Sequence, residues 1–272
     1  YLAAFIGFQT ATLLLFLFVA RRILDDSGAT ALIALLAFPA VWWNFGLGQN
    51  AFLTAALFGA ATLLVDRRPG LAGLCFGALC YKPHFALLVP LALGIGGHWR
   101  AFLAAACTAA TLVLVSLALL GWGTWQAFFA AAGTSHTMYE SGRILFNGFV
   151  SPFGAIRLLG GSIGVAYAGQ GVFTLAAAMV VAIVWRRRLS PATRNAVLAS
   201  ATLLAVPLSL LYDMMLGAVA GCWLLRGASR EPLQTWEKTA LAMIYAAMLD
   251  SRGLAEKVSV PVNTICALVL FG

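Results

Sequence analysis

The sequence predicts an all-α protein, a polytopic transmembrane helical bundle. Hydrophobic residues make up 62% of its 272 positions, well above the roughly 45–50% of soluble domains. Charged residues make up only 10%, against about 25% there, so too little polar surface exists to coat a water-soluble globule. The apolar residues also fall in continuous runs, several near the roughly 20 residues an α-helix needs to cross hydrocarbon. A membrane barrel would instead alternate with a period of two. Disorder, a coiled coil and a secreted disulfide scaffold are excluded by the same composition.

The runs follow one another between short polar punctuation. Residues 1–20 end in Arg21 and Arg22, and residues 29–45 end in Gly46-Leu47-Gly48-Gln49-Asn50. Residues 51–65 are closed by Asp66, Arg67 and Arg68. Two short runs, 71–80 and 85–95, flank Tyr81-Lys82-Pro83-His84, and His98-Trp99-Arg100 follows them. Residues 101–120 form a long clean run, and 121–161 form the longest polar-leaning stretch. Residues 162–185 end in three arginines, 195–211 lead to Tyr212-Asp213, and 214–225 lead to Arg226. Residues 236–249 and 258–271 complete the series, the former short enough to lie flat on a bilayer. The five cysteines all lie in apolar stretches without histidine at metal-ligand spacing, and read as buried thiols.

Charge placement gives the topology. The net charge of +8 comes from short basic clusters between apolar runs, which is a topology signal rather than a nucleic-acid footprint. Arg21, Arg22, Arg67, Arg68, Arg100, Arg186, Arg187, Arg188, Arg194, Arg226, Arg230 and Lys238 fall on one, cytoplasmic, side if residues 71–95 form a hairpin turning near Lys82. Residues 195–225 must likewise turn near Tyr212. Lys82, Arg143, Arg157, Arg252 and Lys257 then face outward or lie within the membrane. Both hairpins have arms too short for a full crossing, as expected of helices that border a wet, protein-lined cavity. The paired acids Asp25 and Asp26 fall on the cytoplasmic side, at a helix end.

In this topology Gln49, Asn50, Lys82, His84, the loop 122–157, Tyr212 and Asp213 share the outward half. A charge inside hydrocarbon costs about 2.5–3.5 kcal/mol on insertion scales, so Lys82 and Asp213 need partners, water or a function. Lys82 reads either as a snorkelling lysine or as a cation for a lipid phosphate, with three donors on a compact charge. Pro83 marks the helix break beside it. His84 is a second donor or an interfacial ring. Gly48-Gln49-Asn50 reads as a tight turn or as amides for sugar hydroxyls. Asp213 reads as a structural carboxylate or as an orienting, proton-handling group. The long loop is framed by Trp122, Trp125, Phe128 and Phe129 before and Phe146, Phe149 and Phe153 after, an interface belt or a binding lid. Within it Arg143 suits bidentate phosphate contact, and His136 and Glu140 are chemically able to transfer protons.

The series Gly48-Gln49-Asn50, Asp66-Arg67-Arg68-Pro69, Leu71-Ala72-Gly73-Leu74, Tyr81-Lys82-Pro83-His84 and Trp99-Arg100-Ala101 resembles glycosyltransferase family 87 of the GT-C superfamily. The likeness holds in order and spacing over residues 45–123 and returns at Pro207 to Asp213. There the chain has Tyr212 and Asp213 but no histidine, so no histidine role is carried over. The resemblance implies transfer of a sugar, most often mannose, from a polyprenyl phosphate donor to a lipid or glycan acceptor on the extracytoplasmic face of the bacterial cytoplasmic membrane. It implies an inverting displacement, with Lys82 and Arg143 binding the donor phosphate and Gln49, Asn50, His84, Tyr212 and Asp213 binding or orienting substrate. It implies no nucleic-acid partner and no organic cofactor, and leaves a divalent metal open. The family's general-base aspartate belongs to a loop upstream of residue 1, so residues 1–272 are expected to form a single transmembrane domain of an N-terminally truncated chain, inactive alone. A transporter or lipid flippase is the alternative. It predicts two matching halves with broken helices, and no sequence repeat surrounds the two hairpins.

Overall fold

The computed structural model describes residues 1–26, 28–229 and 232–272, with side chains for all of these except Ser135 and His136. The described residues are mostly helical. Its elements are α1 (Leu2–Leu24), α2 (Ala29–Ala37), α3 (Pro39–Gly46), α4 (Ala51–Leu64), α5 (Pro69–Ala78), α6 (Val89–Ile95) and α7 (Trp99–Glu140). After these come α8 (Pro152–Leu158), α9 (Ile163–Arg186), α10 (Pro191–Ala205), α11 (Met215–Gly227), α12 (Thr235–Leu249), α13 (Ser251–Val258) and α14 (Val262–Phe271). By length and composition α1, α7 and α9 can each cross a membrane, and α2 and α3 add a fourth span if read as one span bent by 54° at Pro39. Proline at the first helical position fixes that bend, because it cannot donate back into the preceding turn.

One end of the bundle gathers the basic side chains. Arg226 near the end of α11 donates to the carbonyls of Arg22 and Ile23 at the end of α1, at 3.0 and 2.6 Å. Arg194 on α10 pairs with Asp66 in the α4–α5 connection and lies over the Trp185 ring at 5.1 Å. Trp185 in turn donates to the Arg194 carbonyl. His98, in the α6–α7 connection, stands 3.9 Å from the same Asp66. Burial, then the neighbouring Arg194, lowers the His98 pKa more than Asp66 raises it. The imidazole is therefore neutral at pH 7, and Arg194 is the cation that balances Asp66. Successive connections meeting at this end make the bundle an up-and-down arrangement.

Both short-armed hairpins are present. Asp66 precedes α5 and His98 follows α6, so the segment between them leaves the basic end and returns to it. Its arms are 10 and 7 residues long, joined by 3-10 turns at Leu79–Tyr81 and Pro83–Ala86. Gly73 and Gly77 allow α5 to lie directly on the α7 backbone; a methyl at Gly73 would overlap Ala104 and the Ala101 carbonyl. The second hairpin consists of α10 and α11 around a non-helical stretch, 206–210. Here the freed carbonyls find side-chain donors, as buried backbone in hydrocarbon must. Gln170 donates to the Leu204 carbonyl at 2.8 Å and Thr174 to that of Ala205 at 2.8 Å. Ser151 donates to Pro207 at 2.6 Å, Ser209 to Leu203 at 2.8 Å, and the Val150 amide to the Ser209 carbonyl at 2.9 Å. Phe149 and Leu210 form an isolated antiparallel bridge.

The polar-leaning stretch 121–161 is not the long loop its composition suggests. α7 continues as a helix to Glu140, turning sharply at Gly121, whose φ of 76° and ψ of 164° are open to glycine alone. Only 141–151 and 159–162 lie outside helices longer than one turn, and α8 fills the space between. Thr124, Thr134 and Thr137 each return their hydroxyl to the carbonyl four residues back, so these polar residues do not interrupt the helix. α12 does not lie apart from the bundle. Tyr245 donates to the Ala34 carbonyl of α2 at 3.0 Å and packs edge-on against Phe38.

Candidate functional site

The site lies at the end of the bundle opposite the Arg194–Asp66 pair and Arg226. α4 has 14 residues and rises ~21 Å, less than the roughly 30 Å of hydrocarbon. Its N-terminal turn lies at this end of the bundle. Thr54 in that turn shares a 2.7 Å hydrogen bond with the Tyr81 hydroxyl, which places the tip of the first hairpin at the same level. The turn 46–50 is fixed by a buried amide relay. Gln9 on α1 donates to the Gln49 carbonyl at 2.9 Å, Asn44 donates to Gln9 Oε1 at 3.1 Å, and the Ala51 amide donates to Asn44 Oδ1 at 2.9 Å.

Lys82 and Asp213, 131 residues apart, meet here. Lys82 Nζ donates to Asp213 Oδ1 at 3.0 Å. The other carboxylate oxygen accepts from the Leu210 amide at 3.0 Å. Asp213 is 3% exposed and the Lys82 side chain 14%, so the carboxylate is sealed and the lysine side chain is only partly buried. The ammonium also lies 5.4 Å from the Phe85 ring centre and 5.3 Å from that of Tyr212, both within cation–π range. Breaks in two helices create the arrangement. Pro83 forces a turn that presents Lys82, and the 3-10 turn Leu211–Met214 presents Tyr212 and Asp213.

The structure brings together Lys82, Tyr212 and Asp213. His84 follows in the same turn, its ring 4.3 Å from that of Phe85. Gln49 contributes its backbone carbonyl to the relay, while Asn50 Oδ1 is buried with no hydrogen-bond partner among the described residues. Arg143 does not join the group. It is exposed, and its side chain has no hydrogen-bond or ion-pair partner among the described residues. Of the two proton-transfer candidates, the His136 side chain lies outside the described residues. Glu140 accepts from the Tyr167 hydroxyl at 2.9 Å, and its backbone carbonyl accepts from Arg157 at 3.3 Å. Arg157 lies 5.0 Å from the Phe146 ring. Among the described residues no three of His, Cys, Asp and Glu are grouped to hold a metal ion.

Sequence reasoning passed over Tyr81, Thr54, Gln9 and Asn44, which hold the tip and turn in place. It also passed over Glu256, which accepts from the Asn147 amide at 2.5 Å. Each is an unremarkable polar residue in its own segment, and only the fold pairs it. The local signals were a tyrosine directly before the exceptional lysine and a glutamine inside an otherwise apolar span.

These features define a multi-pass helical membrane protein with an ion-paired lysine at one end, between two broken helices. The model of glycosyltransferase family 87 matches residues 1–211, and the chain belongs to that family. It is by that membership a membrane glycosyltransferase. No curated protein and no solved structure matches the chain. The matched region includes Lys82 and the first hairpin and ends two residues before Asp213.

Proposed function

We propose that this chain carries the donor-phosphate subsite of an enzyme that moves mannose from polyprenyl phosphate to a lipid or glycan acceptor. The site then faces outward from the bacterial cytoplasmic membrane, since the basic end is the cytoplasmic one. The observation that carries the reading is the Lys82 ammonium, ringed by Phe85 and Tyr212 and held by a sealed carboxylate. Asp213 aims the lysine, and the Lys82 donors not used by Asp213 are proposed to take a phosphate. The acceptor hydroxyl attacks the anomeric carbon as a base removes its proton. The bond from that carbon to the phosphate oxygen breaks, and the electron pair leaves with polyprenyl phosphate. Lys82 stabilises the charge that develops on the departing phosphate. Arg143, exposed past the end of α7 and apart from the Lys82 group, is proposed as a second cation for the same phosphate. Gln49, Asn50, His84 and Tyr212 border the space for the sugar. The proposal assigns no residue of this chain to the base and invokes no cofactor.

The test is transfer of labelled sugar from polyprenyl phosphate into lipid by membranes carrying Lys82→Ala, Asp213→Asn or Arg143→Ala. The proposal expects the first two to lose at least about 100-fold in kcat/KM, the scale of a lost transition-state charge contact. Full activity in all three overturns it.

A further inference from the structure

The end of the chain supplies a brace that reaches the ion pair from outside the region matched by the family model, which stops at residue 211. Glu256 lies on the short helix α13, and its side chain is exposed. Its carboxylate accepts from the Asn147 side-chain amide at 2.5 Å. Asn147 is buried and sits in the one-turn helix Phe146–Gly148. Asn263 and Thr264, at the start of α14, hold the same segment. They donate to the Asn147 carbonyl at 3.5 Å and to the Ser151 carbonyl at 3.3 Å.

From this segment the contacts run on to Asp213. A methyl on Gly148 would stand 3.0 Å from the Leu211 side chain, so the two chains touch there. Phe149 bridges to Leu210, and the Val150 amide donates to the Ser209 carbonyl at 2.9 Å. The Leu210 amide donates to Asp213 Oδ2 at 3.0 Å, and the Asp213 amide donates back to the Leu210 carbonyl at 2.7 Å. Gln170 and Thr174 hold the α10 side of this stretch, at Leu204 and Ala205. Residues 148–151 hold the side that bears Asp213.

We infer that Glu256, acting through Asn147, is a positioning residue for sugar transfer. It fixes the segment from which the Asp213 carboxylate is aimed at Lys82, and so fixes the ammonium against the donor phosphate. The inference rests on the donor-phosphate reading of Lys82. Without Glu256 the buried Asn147 amide loses its acceptor, a cost that favours rotation of Asn147 and displacement of the segment. The sign of the effect separates aim from simple electrostatics. Polyprenyl phosphate is an anion, so by charge alone the removal of a carboxylate from this region strengthens its binding. Loss of aim weakens it. A role in folding alone has a third signature: fewer intact sites, each with unchanged affinity.

The experiment is titration of polyprenyl phosphate into nanodiscs carrying the full chain at fixed ionic strength, with site number and Kd fitted separately. Glu256→Ala is expected to raise Kd at least about 5-fold, within the range of coupled residues, with the site number unchanged. Glu256→Gln keeps an oxygen for Asn147 and is expected to stay within about 2-fold of wild type. In the double variant Lys82→Met with Asp213→Asn, the further change Glu256→Ala is expected to add no weakening, because no charge remains for it to aim. An unchanged or lower Kd in Glu256→Ala, a loss of sites at constant Kd, equal weakening in Glu256→Gln, or full additivity with the double variant each overturn the inference. A double variant that itself binds as tightly as wild type overturns the donor-phosphate reading and the inference with it. Weakening in the double variant but not in Glu256→Ala overturns the inference alone.

Discussion

Asp213→Asn tests the ion pair at its most sensitive point. The pair is 3.0 Å apart, so its gross attraction at an effective dielectric near 20 is about 5–6 kcal/mol. Desolvation of both groups offsets most of that, and a buried pair contributes little net stability when both partners are present. Removing one partner is different. Asparagine keeps an oxygen for the Leu210 amide but leaves the lysine charge uncompensated, at a cost of about 3–5 kcal/mol. The lower half of that range is expected, because Lys82 is 14% exposed and retains the Tyr212 and Phe85 rings. The double variant Lys82→Met with Asp213→Asn removes both charges and is expected to recover most of the loss. Reversible unfolding in mixed detergent micelles, followed by helicity, measures the four corners of the cycle. A single variant within about 0.5 kcal/mol of wild type, or a double variant as unstable as the sum of both singles, would refute the reasoning.

Two further outcomes follow from the packing at the hairpins. Gly73→Ala forces α5 away from the α7 backbone and is expected to cost about 1–3 kcal/mol. The same change shifts the tip bearing Lys82, so transfer activity is expected to fall further than stability does, and unfolding and transfer assays on one preparation compare the two. At the basic end the His98 pKa is lowered by burial and Arg194, so the unfolded chain binds the proton more tightly than the native one. The stability this contributes is complete above the ordinary histidine pKa of about 6.5 and is lost as pH falls below it towards the native value. Thermal melts from pH 7.5 to 5 are expected to show wild type losing more stability than His98→Gln; parallel curves would show that the imidazole does not titrate on unfolding.

The helical membrane class and both hairpins were legible because they depend on local quantities: run length, charge clusters and, in the first hairpin, the proline at 83. The end carrying the site was legible for the same reason, since charge asymmetry fixes which connections share a side. The pairing of Lys82 with Asp213 was not. Each residue announced only that a charge in an apolar segment needs a partner, and their separation in sequence is crossed by tertiary structure alone. The stretch after Gly121 misled because its glycines, threonines, Ser135 and His136 resemble loop composition. Within a helix, however, Thr and Ser hydroxyls can bond the preceding turn, and of Gly121, Gly123 and Gly133 only Gly121 takes a positive φ. Arg143 stood out as a cation in a supposed lid. With that lid helical, it sits exposed just past a helix end.

The central claim is that the ammonium of Lys82 holds the donor phosphate. It is tested most directly by the affinity of polyprenyl phosphate for wild type and for the charge-free double variant Lys82→Met with Asp213→Asn, measured by titration in nanodiscs at fixed ionic strength. The double variant removes the lysine without leaving a buried unpaired carboxylate, so it separates binding from folding. The account predicts an intact fold with donor affinity reduced about 10- to 100-fold, as expected for a charge-assisted contact of about 1.5–3 kcal/mol. An intact double variant that binds polyprenyl phosphate as tightly as wild type would contradict it.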